Sequence, residues 1–431
     1  MAPQAASGAF SVNGVGLETI FNTYAAPTYW LFPESDTTAV IFDQLAKDVQ
    51  SGSLNAARIF RVLKGKITGT WTYPLFATHG APILLCAMGN EATYIAAGAA
   101  DTVLAATPVT TTAGISTIKV TNTAGVTNYQ SGNWITINTS TASEARQVLT
   151  GTNAAGGTIT VGALKGNATA AAGTAVQLMG QHKLIQNPTS LTVRSFSLEG
   201  QYALQWAWQL AGCLVSKWNC KVTNQQFQVT TTWSGSKING TITGATGLTA
   251  VNPSTEENSD LIRPFAIPDS MFVGYQDPLQ AGGVTGTSVQ ESMGTYLTDF
   301  ELDMSNALIE VPFHDGSQYY RVFPGVKGPS TIKYTYVMAS GRFSEFQDYV
   351  ANTANTTIPF FAGAAYNTAN TGAMNWRGVG FYVPNLFLTV GTPQKVTNQL
   401  HTCLVEGKLT PPSGSGDSIQ TFVMNEKSVV Y

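Results

Sequence analysis

The sequence predicts a mainly β protein, built as two similar domains in tandem with a small all-β module set into the first. Three observations lead there. Apolar and polar residues alternate with period two in segments rich in Thr, Val, Ile and aromatic residues. Gly- and Asn-rich turns separate such segments at short intervals. One design also occurs twice. KGKITGTWTYPLF at 64–76 and KGPSTIKYTYVMA at 327–339 both start with Lys-Gly, run into a Thr/Tyr strand and lead towards a short helix.

In order along the chain, Lys66–Tyr73 alternates cleanly, with Ile67, Gly69, Trp71 and Tyr73 on one face and Lys66, Thr68, Thr70 and Thr72 on the other. A helix is expected near 78–88, with Pro82 in its first turn and Gly89 as its stop. The texture changes near 107, where short strands are predicted at 117–120, 134–137, 145–149, 158–161 and 175–178. Residues 107–179 therefore read as an inserted module with a thin core, its aromatic residues being Tyr129 and Trp134. The first domain, 1–106, resumes over 180–250 with long strand patterns in YALQWAWQLAGCLVSKWNCKV and QFQVTTTWSGSK. The Gly-, Pro- and Thr-rich stretch 251–298 reads as a linker or arm, with short strands around Met271–Tyr275. A second domain, 299–431, repeats the order of the first. Its helix is expected over SEFQDYVANT, where Phe343, Phe346 and Val350 share a face.

Composition narrows the function. The chain has 431 residues, room for two or three domains of about 150 each. Charged residues are 11% of the sequence, against about 25% in ordinary soluble proteins, which favours self-assembly. The net charge is −3 and there is no Lys/Arg run, so the footprint of a phosphate-binding surface is missing. No secretory signal is read at the N-terminus, and APILLCAMG is too short to span a bilayer. Cys86, Cys213, Cys220 and Cys403 have no metal-ligand spacing. Cys213 and Cys220 are expected on opposite faces of one strand, and reduced thiols fit a cytoplasmic site of synthesis.

No catalytic, cofactor-binding or metal-binding residue is predicted. Gly-x-Ser-x-Gly, P-loop and His-Glu-x-x-His motifs are all absent. His79, His182, His314 and His401 are scattered through different elements and read as structural or surface residues. The GVG at 14–16 reads as a turn, and the Asn-Thr-Ser at 138–140 as a chance sequon. Asp299, Glu301 and Asp303 alternate with Phe300, Leu302 and Met304, so the three carboxylates share one side of a strand. The simpler account of this is an ordinary solvated face.

GVGLETIFNTYAAPTYWLFPESDTT, RVLKGKITGTWTYPLFATHGAPILLCAMG and LAGCLVSKWNCKVTNQQFQVTTTWSGSK resemble the tail tube proteins of long-tailed bacteriophages. The resemblance covers most of the chain and is poorest over 235–298. The doubled domain and the 107–179 insertion depart from the family pattern. The resemblance implies a β-sandwich or rolled sheet with one flanking helix in each domain, and sheet edges joined around a ring. With two domains per chain, three chains would supply the family's six, giving homotrimeric rings with pseudo-sixfold symmetry. Stacked rings would conduct DNA and hold the tape-measure protein, with tail-tip and terminator proteins at the ends. In that reading Asp299, Glu301 and Asp303 line the lumen and repel phosphate, and Lys64, Lys66 and Lys327 make intersubunit or inter-ring contacts. The protein would be part of the virion tail, made in the host cytoplasm, with no cofactor and no membrane partner.

A second reading is a virion decoration or adhesin-like protein that binds host carbohydrate, with Trp134 and Tyr129 of the module as stacking platforms. A secreted β-rich hydrolase is a third, disfavoured by the missing carboxylate pair.

Overall fold

The structure, a computed structural model, describes residues 12–49, 57–98, 101–103, 115–121, 129–138, 143–151, 156–162, 172–186, 194–202, 206–223, 226–243, 271–277, 289–292, 297–313, 317–337, 357–367, 376–394, 401–411, 416–425 and 431. It is mainly β, with 26 strands and one helix among these residues. Twenty strands form one hydrogen-bonded network and six form a second.

In the larger network the chain runs out along Ser35–Asp36 and Ala39–Val49 and returns along Ala57–Pro74. The return strand pairs with Gln226–Gly235, which forms a hairpin with the second half of Trp206–Thr223. The first half of Trp206–Thr223 lies between Phe196–Tyr202 and Lys237–Thr243. Val12–Leu17 and then Tyr29–Leu31 extend the sheet beyond Phe196–Tyr202.

The same connectivity recurs downstream. Leu297–Val311 runs out, and Arg321–Lys327 with Thr331–Val337 returns. The return pairs with Thr402–Thr410, which pairs with the second half of Trp376–Gln394. The first half of Trp376–Gln394 lies between Thr357–Asn367 and Ile419–Met424. Met271–Asp277 and then Val289–Ser292 extend the sheet beyond Thr357–Asn367. Part of the stretch read as a linker is thus paired strand. The short strand expected around Met271–Tyr275 is present, and its ladder partner is Thr357–Asn367, which composition alone does not show.

Register agrees as well as order. Trp71 sits between Asp36 and Thr231, and Tyr334 sits between Phe300 and Val405. Three register shifts coincide. They fall at Phe42/Gln44 and Asn306/Leu308, at Phe196/Leu198 and Ile358/Phe360, and at Val215/Lys217 and Leu388/Val390. At the last pair the extra residue carries a hydroxyl that re-uses a freed carbonyl. Ser216 Oγ donates to Thr232 O at 3.0 Å, and Thr389 Oγ1 donates to Glu406 O at 3.1 Å. The shift also corrects the expectation for the cysteines. Cys213 and Cys220 flank it and are both fully buried in the main core, because one extra residue reverses the alternation.

The halves join edge to edge, Lys217–Lys221 pairing with Glu301–Ser305. Gln181–Gln186 of the first half also pairs with Ile419–Met424 of the second. The helix, Ala81–Met88, has all eight residues buried, as its lack of a polar face requires. Gly89, at φ 99°, closes it with a backbone bond to Leu85 O of 2.7 Å. Two side chains of the second half cap its last turn. Asn306 Nδ2 donates to Ala87 O at 2.9 Å, and Lys327 Nζ donates to Met88 O at 2.9 Å. A cation there complements the helix dipole. Burial pushes the Lys327 pKa down, with Asp417 opposing. The helix expected over SEFQDYVANT, 344–353, lies outside the described residues.

The second network holds Asp101–Thr102, Ile115–Lys119, Trp134–Asn138, Ser143–Thr150, Thr158–Gly162 and Ala175–Leu178. A Val103–Val120 bridge brings its two edges together. Entry and exit strands pair directly, Asp101 opposite Val176. Ile118, Ile135, Ile137, Val148, Ile159 and Val161 fill the interior, so the core is aliphatic and less thin than its aromatic content suggests. Trp134 points the other way, packing with Ala365, Phe422 and Met424 of the second half.

Candidate functional site

The edge-to-edge junction makes one face of the joined sheet continuous across both halves, and this face is the candidate site. Its construction follows from strict alternation. In Thr331–Val337, residues 332, 334 and 336 are buried and the others are half-buried or exposed. Thr402–Thr410 alternates likewise. On the first half the outward side chains form a threonine ladder. Thr70 and Thr232 hydroxyls lie 3.2 Å apart, and those of Thr72 and Thr230 lie 3.4 Å apart. On the second half the outward side chains include charged residues among threonines, and Lys333 Nζ lies 3.1 Å from Glu406 Oε1.

Asp299, Glu301 and Asp303 all sit on this face. Asp299 is exposed, Asn219 Nδ2 donates to Glu301 Oε1 at 2.6 Å, and Lys217 Nζ lies 2.8 Å from Asp303 Oδ2. Lys217, Lys221, Lys333 and Lys408 stand on the same face as the three carboxylates and Glu406. Positive and negative groups therefore balance. The isolated repelling stripe expected from the local sequence becomes half of a mixed-charge face, because the neighbouring strands bring lysines from far away in the chain.

The three lysines beside the Lys-Gly turns find partners within the chain. Lys66 Nζ lies 2.9 Å from Glu310 Oε2, Lys64 Nζ donates to Phe313 O, and Lys327 caps the helix. Each contact ties one half to the other, whereas contacts between subunits were expected.

The described histidines have structural surroundings. His182 Nδ1 lies 2.7 Å from Glu91 Oε1 with both side chains fully buried, and Tyr94 and Tyr431 pack on its ring. His79 Nδ1 accepts from Trp30 N at 3.3 Å. His401 is exposed, and His314 lies outside the described residues. The buried carboxylate Glu18 accepts from Ser195, Ser197, Asn22 N and Gly212 N at 2.7–2.8 Å, an arrangement that fixes a loop. The four cysteines are buried thiols outside any disulfide, and burial raises the thiol pKa of Cys86, Cys213 and Cys220. Among the described residues no cluster of His, Cys, Asp or Glu could hold a metal. No described helix is long and apolar enough to cross a membrane. An open cleft of about 430 Å³ at the junction of the halves is lined by Asn22, Lys237, Tyr319 and Arg321 among others, with no carboxylate, thiol or imidazole.

Trp134 and Tyr129 are each only 1% exposed. Trp134 is used to dock the module, and the Tyr129 hydroxyl donates to buried Asp101 at 2.5 Å. Neither can stack on a sugar.

Comparison with protein-family models and with curated proteins finds no match.

Proposed function

We propose that this chain is a tail tube protein of a long-tailed bacteriophage, a structural virion component without catalytic activity. It carries two tandem tube domains of β-sandwich or rolled-sheet form, 1–106 with 180–250 and 299–431. The strands within 251–298 pair with the second domain, and 107–179 is an accessory module whose sheet also takes in Asp101–Thr102, ahead of the boundary expected at 107. Three chains form a ring with pseudo-sixfold symmetry, and stacked rings conduct DNA and house a tape-measure protein. Tail-tip and terminator proteins close the ends.

The observation that carries this reading is the recurrence of one strand connectivity, with matching register shifts, in two units joined edge to edge. Such a junction is heterologous, and repeating it closes a ring or extends a filament. A closed ring also removes strand edges that would otherwise invite aggregation. The continuous polar face, rich in threonine and balanced in charge, suits a lumen wall that lets a polyanion slide. Tight phosphate binding would need an excess of cations.

Electron microscopy of the purified protein tests the reading. Hollow rods with threefold rings and two similar lobes per chain are expected. Discrete particles without a lumen, or six whole chains per ring, would overturn it.

A further inference from the structure

The seam inside the chain supplies the register of a seam between chains. Within the chain, Asn219 stands opposite Asp303 in a five-residue antiparallel pairing of 217–221 with 301–305. The repeat assigns both strands a counterpart. Trp218 neighbours Thr231 and then Trp71, as Gly391 neighbours Val405 and then Tyr334, so 390–394 corresponds to 217–221. Ala39 lies opposite Thr68 as Asp303 lies opposite Thr331, so 37–41 corresponds to 301–305. Neither 37–41 nor 390–394 has a strand on its outer edge among the described residues.

We propose that 37–41 of one copy pairs antiparallel with 390–394 of a second copy of this chain, Ala39 opposite Thr392. The inference deepens the ring reading, but the register itself comes from the internal repeat.

The chemistry of the two edges fits a second copy. On the polar face the pairing sets Ile41, Ala39 and Thr37 against Val390, Thr392 and Gln394, so no charge is buried. Ile41 is 57% exposed in the free chain and gains Val390 as its cross-strand neighbour. Neither edge carries the charges that normally blunt an open strand. Pro393, which has no N–H, falls opposite Thr38, whose N–H is already bonded to Asp36 Oδ1 at 2.7 Å. This pair therefore supplies no backbone hydrogen bond, and the flanking pairs must carry the ladder. The in-chain seam has the Lys217–Asp303 ion pair instead. The seam between copies has fewer bonds and opens first.

The test is a cysteine pair, Ala39→Cys with Thr392→Cys, in the full chain. The native cysteines are buried and do not compete. Mild oxidation should give a ladder of covalent multimers that reductant collapses, with neither single variant forming multimers. A chain that stays monomeric in sedimentation at all concentrations would overturn the proposal. So would cross-linking by Ala39→Cys alone, or an equal yield from the shifted pair Ala39→Cys with Gln394→Cys. If the double variant misfolds, charges at the same seam give the answer. Ile41→Lys with Val390→Lys should abolish assembly, and Ile41→Lys with Val390→Glu should restore it. Assembly indifferent to these charges overturns the register. A covalent ladder in flat sheets or solid filaments keeps the register and rejects the tube. Hollow rods without the cross-link do the reverse.

Discussion

Gly69 faces Trp233 across two strands of the first half, and Ile332 faces Gly407 at the equivalent place in the second. The large residue and the glycine have changed strands. A Cβ on Gly69 would lie 2.5 Å from the Trp233 ring, and one on Gly407 would lie 2.6 Å from Leu386. Each half therefore needs its glycine where its own bulk intrudes. Trp218 in the first half is likewise matched by Gly391 in the second. Pairing, register and register shifts are held in common, while core volume is redistributed between facing strands. Cores tolerate such exchange when total volume and patterning survive. The low identity of the two halves follows from this.

Breaking the exchange should give the largest effect. Trp233→Gly is expected to cost at least about 3–5 kcal/mol through lost burial and a cavity. Gly69→Ile alone should also destabilise, through overlap with the Trp233 ring. The double variant Gly69→Ile with Trp233→Gly imitates the second half and should cost clearly less than the sum of its parts. Urea unfolding of the three variants as a cycle measures that coupling, and strict additivity would refute the exchange.

A change at Glu18 damages the first half alone. Glu18→Ala strands four donors to a buried carboxylate, and a loss of roughly 2–3 kcal/mol is expected. Hydrogen exchange should rise in Val12–Leu17 and Phe196–Tyr202 while Thr402–Thr410 stays protected. Uniform loss of protection would show that the halves unfold as one unit.

The hydroxyls at the shared register shift sharpen the likeness. Ser216→Ala and Thr389→Val should each cost about 1 kcal/mol. Thermal unfolding giving a clear loss at one site and none at the other would mean the two shifts are stabilised differently.

The smallest effect belongs to the seam within the chain. Lys217 is 52% exposed in its pair with Asp303, so Lys217→Ala should change stability by no more than about 0.5 kcal/mol. Calorimetry at low and high salt checks this, and a large salt-dependent loss would assign the pair a greater role.

Local sequence made much of this architecture legible. Period-two alternation marked Lys66–Tyr73, 331–338 and 214–222, and the structure has strands at each. Pro82 and Gly89 bracketed the helix to within three residues at its start. The module's strands were found within two residues of where turn spacing placed them. These signals are readable because a side chain's direction depends on its immediate neighbours in the chain.

The candidate face was only half visible. Asp299, Glu301 and Asp303 could be put on one side of a strand, but Lys217 and Asn219, which meet two of them, lie more than eighty residues away in sequence. The burial of Trp134, the capping of the helix by Asn306 and Lys327, and the pairing of Met271–Asp277 were equally hidden. The sequence by itself determined which residues form strands and where the helix stops. Only the tertiary structure decided which edges meet, which face is shared and which residue of each facing pair is large. Those outcomes depend on contacts between distant segments, where a one-residue shift moves every side chain to the other face.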